Sequence, residues 1–172
     1  RLLGIVGDSR KRALRERSWD FEVTNQGWRY HMSDIFAAIG KVQLKKFDKF
    51  SVIRKKLYSL YMELLSDISE VALFEWDITD GMVPHILVIR IPGMTSREIM
   101  RSKLMEDNVP TGIHYKPNHL LSFYKDPNAR ALTNTETIYP EILTLPLHTR
   151  LTESQIEEVV QKLRKNLVYA FK

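Results

Sequence analysis

The sequence predicts an α/β fold in which a small α+β domain runs from about residue 67 to the end. Two observations predict it. Short aliphatic runs of strand length, such as His85-Ile86-Leu87-Val88-Ile89-Arg90-Ile91, alternate with segments whose apolar residues recur at helical spacing. Three of those segments open on the capping-box pattern, Thr or Ser followed three residues later by Glu or Gln: Thr95–Glu98, Thr133–Glu136 and Thr152–Gln155.

The elements follow in order. Arg1-Leu2-Leu3 reads as the tail of a helix that begins earlier, followed by a polar, basic segment to Arg17. Trp19, Phe21 and Val23 alternate with polar residues, the period of a half-buried strand, and Asn25-Gln26-Gly27 signals a turn. Ser33-Asp34 supplies short side-chain oxygens for free helix amides, so a helix is expected from Ile35 to about Lys46, with Ile35, Ala38, Ile39, Val42 and Phe47 facing inward. Gly40 costs that helix about 1 kcal/mol relative to Ala, which close packing against a neighbour would explain. A second helix is expected over Asp48 to Leu65 on the stripe Val52, Ile53, Leu57, Leu60, Tyr61 and Leu64, with a bend between the two. Val71–Phe74 forms a short strand and His85–Ile91 a central one. A helix through about Glu106 carries Ile99, Met100, Leu104 and Met105 inward, and Thr111–Tyr115 forms another strand. The last helix buries Ile156, Val159, Val160, Leu163 and Leu167.

Composition narrows the function. The 172 residues make roughly one domain, or a small domain plus part of another, and a hydrophobic fraction of 44% suffices for a core. The absence of Cys removes disulfides, thiolate metal sites and Cys nucleophiles. The five His residues include no i, i+4 pair of the zinc-binding kind, so no metal is expected. No apolar run reaches the roughly 18–20 residues of a membrane span, and Arg1–Gly7 is too short and too broken by Gly for a secretory signal. The expectation is a cytoplasmic protein with no membrane partner. A net charge of +5 invites a nucleic-acid reading, but Arg10, Lys11, Arg12, Arg15 and Arg17 alone form a basic cluster and no RNA-binding aromatic motif accompanies it. No nucleic-acid partner is expected.

Four stretches carry a specific resemblance. Gly27-Trp28-Arg29-Tyr30-His31-Met32-Ser33-Asp34-Ile35-Phe36-Ala37-Ala38-Ile39-Gly40-Lys41-Val42-Gln43-Leu44 resembles the G-Y-N-Y-R-M-[ST]-D-I-Q-A-A-[IL]-G-x-x-Q-L segment of the DegT-type sugar aminotransferases, which depend on pyridoxal phosphate (PLP). Thr111-Gly112-Ile113-His114-Tyr115-Lys116-Pro117-Asn118-His119 resembles their T-G-[IV]-H-Y-x-P-x-H, and Leu143-Thr144-Leu145-Pro146-Leu147-His148 their L-S-L-P-[LM]-[HY]. Leu151–Ile156 opens the final helix in the same way. Each motif alone is weak; in this order and spacing they span almost the whole chain.

The resemblance implies the C-terminal part of a fold-type-I aminotransferase that works as a homodimer. Residues 1–48 would be the tail of the large PLP domain, with the dimer-crossing segment and connecting helix, and 49–172 the small domain with its long linking helix. The missing N-terminal half would hold the Schiff-base lysine, so no residue of this chain is expected to be catalytic. PLP serves as an electron sink and needs that lysine to hold it and move a proton. Lys45, Lys46, Lys55 and Lys56 read instead as solvated helix faces.

In family members the segment matching Gly27–Met32 reaches the partner subunit's cofactor. Here the usual Asn is Arg29 and the usual Arg is His31, two apart and therefore on one side of an extended segment. Arg29 would fork onto the PLP phosphate or the amino donor's carboxylate, with His31 adding a hydrogen bond. Tyr30, His114, Tyr115 and His119 would line the substrate, a nucleotide-linked keto sugar that receives its amino group from glutamate. Three alternatives stay open: a sugar dehydratase of the same family with His at the lysine position, a piece that only dimerises or docks, and the bland assignment of these His residues to caps and structure.

Overall fold

The structure, a computed structural model, describes residues 32–74, 81–126 and 129–172. The strand expected around Trp19–Val23 lies outside them. The chain divides into two compact units, Arg1–Lys46 and Phe47–Lys172.

Helix α1 runs unbroken over Asp34–Leu65, where two helices with a bend between them were expected. No Pro interrupts the stretch, and Lys45-Lys46-Phe47-Asp48 are all tolerated in a helix, so nothing in the sequence forces a break. In the first unit, Ile35, Ala38, Ile39 and Val42 are exposed rather than inward-facing. Helical spacing states that a face is apolar, not what covers it. Gly40 has open space where a Cβ would sit, so close packing does not explain it.

The second unit begins with Phe47, which is exposed like Val52, and then buries Leu57, Tyr58, Tyr61 and Leu65 of the same helix. These pack on a three-stranded antiparallel sheet ordered β1 (Ala72–Leu73), β2 (Leu87–Arg90), β3 (Ile142–Leu145). Its register pairs Leu73 with Ile89 and Val88 with Thr144. Alternation along the strands sends Leu87, Ile89, Leu143 and Leu145 into the core with the helices, leaving Val88, Ile142 and Thr144 for the opposite face. The strand expected over Thr111–Tyr115 reduces to one bridge, between Gly112 and Thr144. Pro110 and Pro117 bracket the segment, and a proline has no N–H to extend a ladder.

Helix α2 (Arg97–Glu106) buries Met100 and Leu104, while Ile99 and Met105 face solvent. Its expected capping box does not close. Glu98 instead accepts from Arg101 at 2.9 Å, and the amides of Thr95 and Ser96 donate to Ala170 O at 2.9 and 3.1 Å. Helix α3 (Thr133–Ile138) likewise starts without a hydroxyl cap, Glu136 alone reaching back to the Leu132 amide. Helix α4 (Glu153–Asn166) follows its sequence closely. Thr152 Oγ1 accepts from the Gln155 amide at 3.2 Å, Gln155 Oε1 accepts from the Thr152 amide at 3.0 Å, and all five expected apolar residues are buried. Thr152→Ala is therefore expected to destabilise the fold by about 1 kcal/mol, read as a lower midpoint in urea with an unchanged slope.

Two polar ties fix the loops around the sheet. One guanidinium nitrogen of Arg54 (Nη1) donates to the carbonyls of Pro84, His85 and Leu147 at 3.3, 3.0 and 3.2 Å, joining α1 to both loops. The buried Glu141 accepts from the Gly93 amide and from Arg90 Nε, each at 2.6 Å. Gly93 reaches the left-handed region with φ 75, which its missing Cβ permits. Among the described residues no helix is long and apolar enough to cross a membrane.

Candidate functional site

The second face of the sheet is open. Val88 and Ile142 form its floor, Tyr58 and Phe74 one wall, and Met82–Ile86 another, around a recess of about 440 Å³. His114 is the group that brings polar chemistry into it, with His85 also at its lining. Burial pushes the Tyr58 phenol above its ordinary value, so it remains un-ionised, and it donates to Phe74 O at 3.4 Å.

The position of His114 is built from the Gly112–Thr144 bridge. Gly112 N–H donates to Thr144 O at 3.0 Å and Thr144 N–H donates to Gly112 O at 2.8 Å. This double tie brings Thr144 Oγ1 within 3.0 Å of His114 Nδ1. A Cβ on Gly112 would lie 2.7 Å from His114 Cε1, so the ring occupies space that only glycine leaves free. Tyr115 stands edge-on to the imidazole, ring centroids 4.6 Å apart at 87°, with its own ring largely exposed.

The structure thus brings His114 and Tyr115 together and sets His119 elsewhere. His119 lies in the first of two short 3-10 turns, Asn118–Leu120 and Ser122–Tyr124. Its Nε2 sits 3.3 Å from Glu136 Oε1, an ion-pair separation without hydrogen-bond geometry, and the ring does not line the recess. Arg29, Tyr30 and His31 lie outside the described residues. His148 Nδ1 accepts from the Arg150 amide at 3.3 Å, a turn contact.

Sequence reasoning missed Tyr58, Phe74, Thr144 and His85. The alternation of β2 was the available signal for Val88, masked by the continuous apolar run around it. Thr144 was visible only as a polar residue inside an otherwise apolar strand.

None of the lysines among the described residues lines the recess. Lys45 and Lys46 are exposed on α1, and Lys56 pairs with Glu153 at 2.5 Å. Among the described residues, no three His, Cys, Asp or Glu side chains cluster as a metal site. The described part of the chain therefore offers hydrogen-bonding groups beside an apolar surface, and does not fit the Schiff-base role of a PLP site.

Comparison with known proteins places this geometry. The chain is 30% identical to protein MJ1066 of Methanocaldococcus jannaschii over 96% of its own length and 44% of that protein. It is similar in structure to the aminotransferase TlmJ of Streptoalloteichus hindustanus, with a TM-score of 0.71 and 29% identity over 87% of this chain and 40% of that one. Spr1654 of Streptococcus pneumoniae, named as a sugar aminotransferase and solved in its PLP-form, superposes with a TM-score of 0.77 over 90% of this chain and 41% of its own, at 23% identity. The chain thus spans less than half the length of the proteins it matches. Mixed helices around a small sheet are the partial fold-type-I arrangement its motifs anticipate. Residues 2–164 match the DegT/DnrJ/EryC1/StrS aminotransferase family, and the chain belongs to it.

Proposed function

We propose that the chain is the small-domain side of a PLP-dependent sugar aminotransferase, moving an amino group from glutamate to a nucleotide-linked keto sugar. The observation that carries this reading is His114 in the lining of the recess, with Tyr115 edge-on to its ring. The imidazole is held on its Nδ1 side, and Nε2 has no partner among the described residues. An imidazole and a phenol in that arrangement can bind hydroxyl, keto or phosphate oxygens of a sugar.

On this reading residues 1–48 belong with the large domain and 49–172 form the small one. Arg29 and His31 would reach the PLP or donor carboxylate of the partner subunit in a homodimer, and Tyr30 would face the sugar. The chemistry of transfer belongs to the cofactor, which supplies an electron sink when bound. This chain alone is then inactive. The exposed strip Met32, Ile35, Phe36 and Ile39 also supports a second reading, in which the chain serves only to dock against other polypeptide.

The test is steady-state kinetics on the full-length enzyme. His114→Ala is expected to raise KM for the keto sugar about tenfold, equivalent to one charge-free hydrogen bond, and to leave KM for glutamate unchanged. Equal effects on both substrates, or none, would remove His114 from the sugar site. Wild-type enzyme without aminotransferase activity would favour the docking reading.

A further inference from the structure

We propose that Thr144 is the positioning residue of the recess, locking neutral His114 as the tautomer with its proton on Nε2. The consequence is that the recess presents a hydrogen-bond donor and selects ligands carrying an acceptor oxygen at that point.

The argument rests on where protons can go. Thr144 is 5% exposed, and the only hydrogen-bond partner of its hydroxyl among the described residues is His114 Nδ1, at 3.0 Å. A hydroxyl carries one proton and two lone pairs, while neutral imidazole has one N–H and one bare nitrogen. If Nδ1 carried the proton, it would donate to Oγ1 and strand the hydroxyl proton in a buried place without an acceptor. An unsatisfied buried donor costs about 1–3 kcal/mol. If Nδ1 is bare, the hydroxyl donates to it and both groups are satisfied. The second arrangement puts the imidazole proton on Nε2, the nitrogen left without a protein partner.

The geometry resists rearrangement. Thr144 sits in β3 between Leu143 and Leu145, both almost fully buried, and its own amide and carbonyl are tied to Gly112. The hydroxyl is therefore carried on fixed backbone. The ring fills the space beside Gly112, its Cε1 lying 2.7 Å from where a Cβ there would sit. Gly112 and Thr144 act together: one leaves the space, the other fixes the ring in it. Thr144 does not line the recess and acts through His114.

The ligand consequence rests on the function proposed above; the tautomer does not, and the experiment separates them. In full-length protein labelled with ¹⁵N-histidine, long-range ¹H–¹⁵N spectra at alkaline pH report each ring nitrogen, with His114→Gln identifying the signals. The expected wild-type spectrum has Nδ1 wholly at the unprotonated position and Nε2 wholly at the protonated one. Thr144→Val should pull both signals toward averaged positions, and Thr144→Ser should restore them. A protonated Nδ1 in the wild type, or signals unmoved by Thr144→Val, would overturn the lock. The wild-type spectrum needs no variant to fold. In kinetics, Thr144→Val should raise KM for the sugar about fivefold with kcat unchanged, and Thr144→Ser should recover most of it. A lock confirmed by the spectra with an unmoved KM would instead overturn the assignment of His114 to the sugar.

Discussion

Tyr61→Ala is expected to be among the most damaging single substitutions, lowering stability by about 3–5 kcal/mol. Tyr61 has no exposed surface and lies on the face of α1 that packs with Leu87, Leu145 and Leu163. Its hydroxyl donates to Pro146 O at 2.9 Å, and burial pushes the phenol well above its ordinary value. Truncation removes a whole ring and leaves both a cavity and a partly buried carbonyl without its donor. Against a domain stability of about 5–15 kcal/mol that is a large share. Tyr61→Phe separates the two contributions, since it keeps the ring and should cost only about 1–2 kcal/mol. Denaturant midpoints for the pair test this. Equal losses would assign the effect to the hydrogen bond and not to packing.

Glu141→Ala is the second large effect, expected at about 3 kcal/mol because it strands a partly buried guanidinium and a tight-turn amide at once. The Gly93 amide first, then Arg90, holds the Glu141 carboxyl below its ordinary value of 4.5, against the opposing effect of burial. A depressed folded-state pKa means that the carboxylate's contribution is complete above 4.5 and lost as pH falls through the lower, folded value. Wild-type stability should therefore drop on acidification below the ordinary carboxylate range, and part of that drop should vanish in Glu141→Gln. The comparison requires unfolding curves at neutral and acid pH for both proteins. A Glu141→Gln profile parallel to wild type would show that other carboxylates carry the acid sensitivity.

The parts of the fold that were legible in the sequence were those settled by neighbours along the chain. Helix α4 is the clearest case, since its capping box and its apolar stripe both lie within 16 residues, Thr152–Leu167. The alternating α/β order was legible for the same reason. The capping boxes of α2 and α3 looked identical on paper, but Glu98 met Arg101 and the amides just ahead of α2 met Ala170, 75 and 74 positions downstream of Thr95 and Ser96. Arg54 was invisible because its three carbonyl partners are 30 to 93 residues distant. For the site, His114 and Tyr115 came from motif resemblance; His114 lines the recess, and Tyr115 stands edge-on to its ring without lining the recess. The apolar recess itself was hidden, because a continuous run such as His85–Ile91 does not say which residues face the helices and which the open side. His119 shows the limit of a motif: two residues past a proline, the turn geometry carries its ring to Glu136.

The tie between Ala170 and the start of α2 bears on how the chain is made. The carbonyl that receives the amides of Thr95 and Ser96, with Thr95 Oγ1 at 3.4 Å, belongs to a residue synthesised some 75 positions later. While the nascent chain is growing, those two amides, on the residues just ahead of α2, have only water to bond. Only after residue 170 has cleared the ribosome can that acceptor be supplied, so the entry into α2 is tied down late in synthesis.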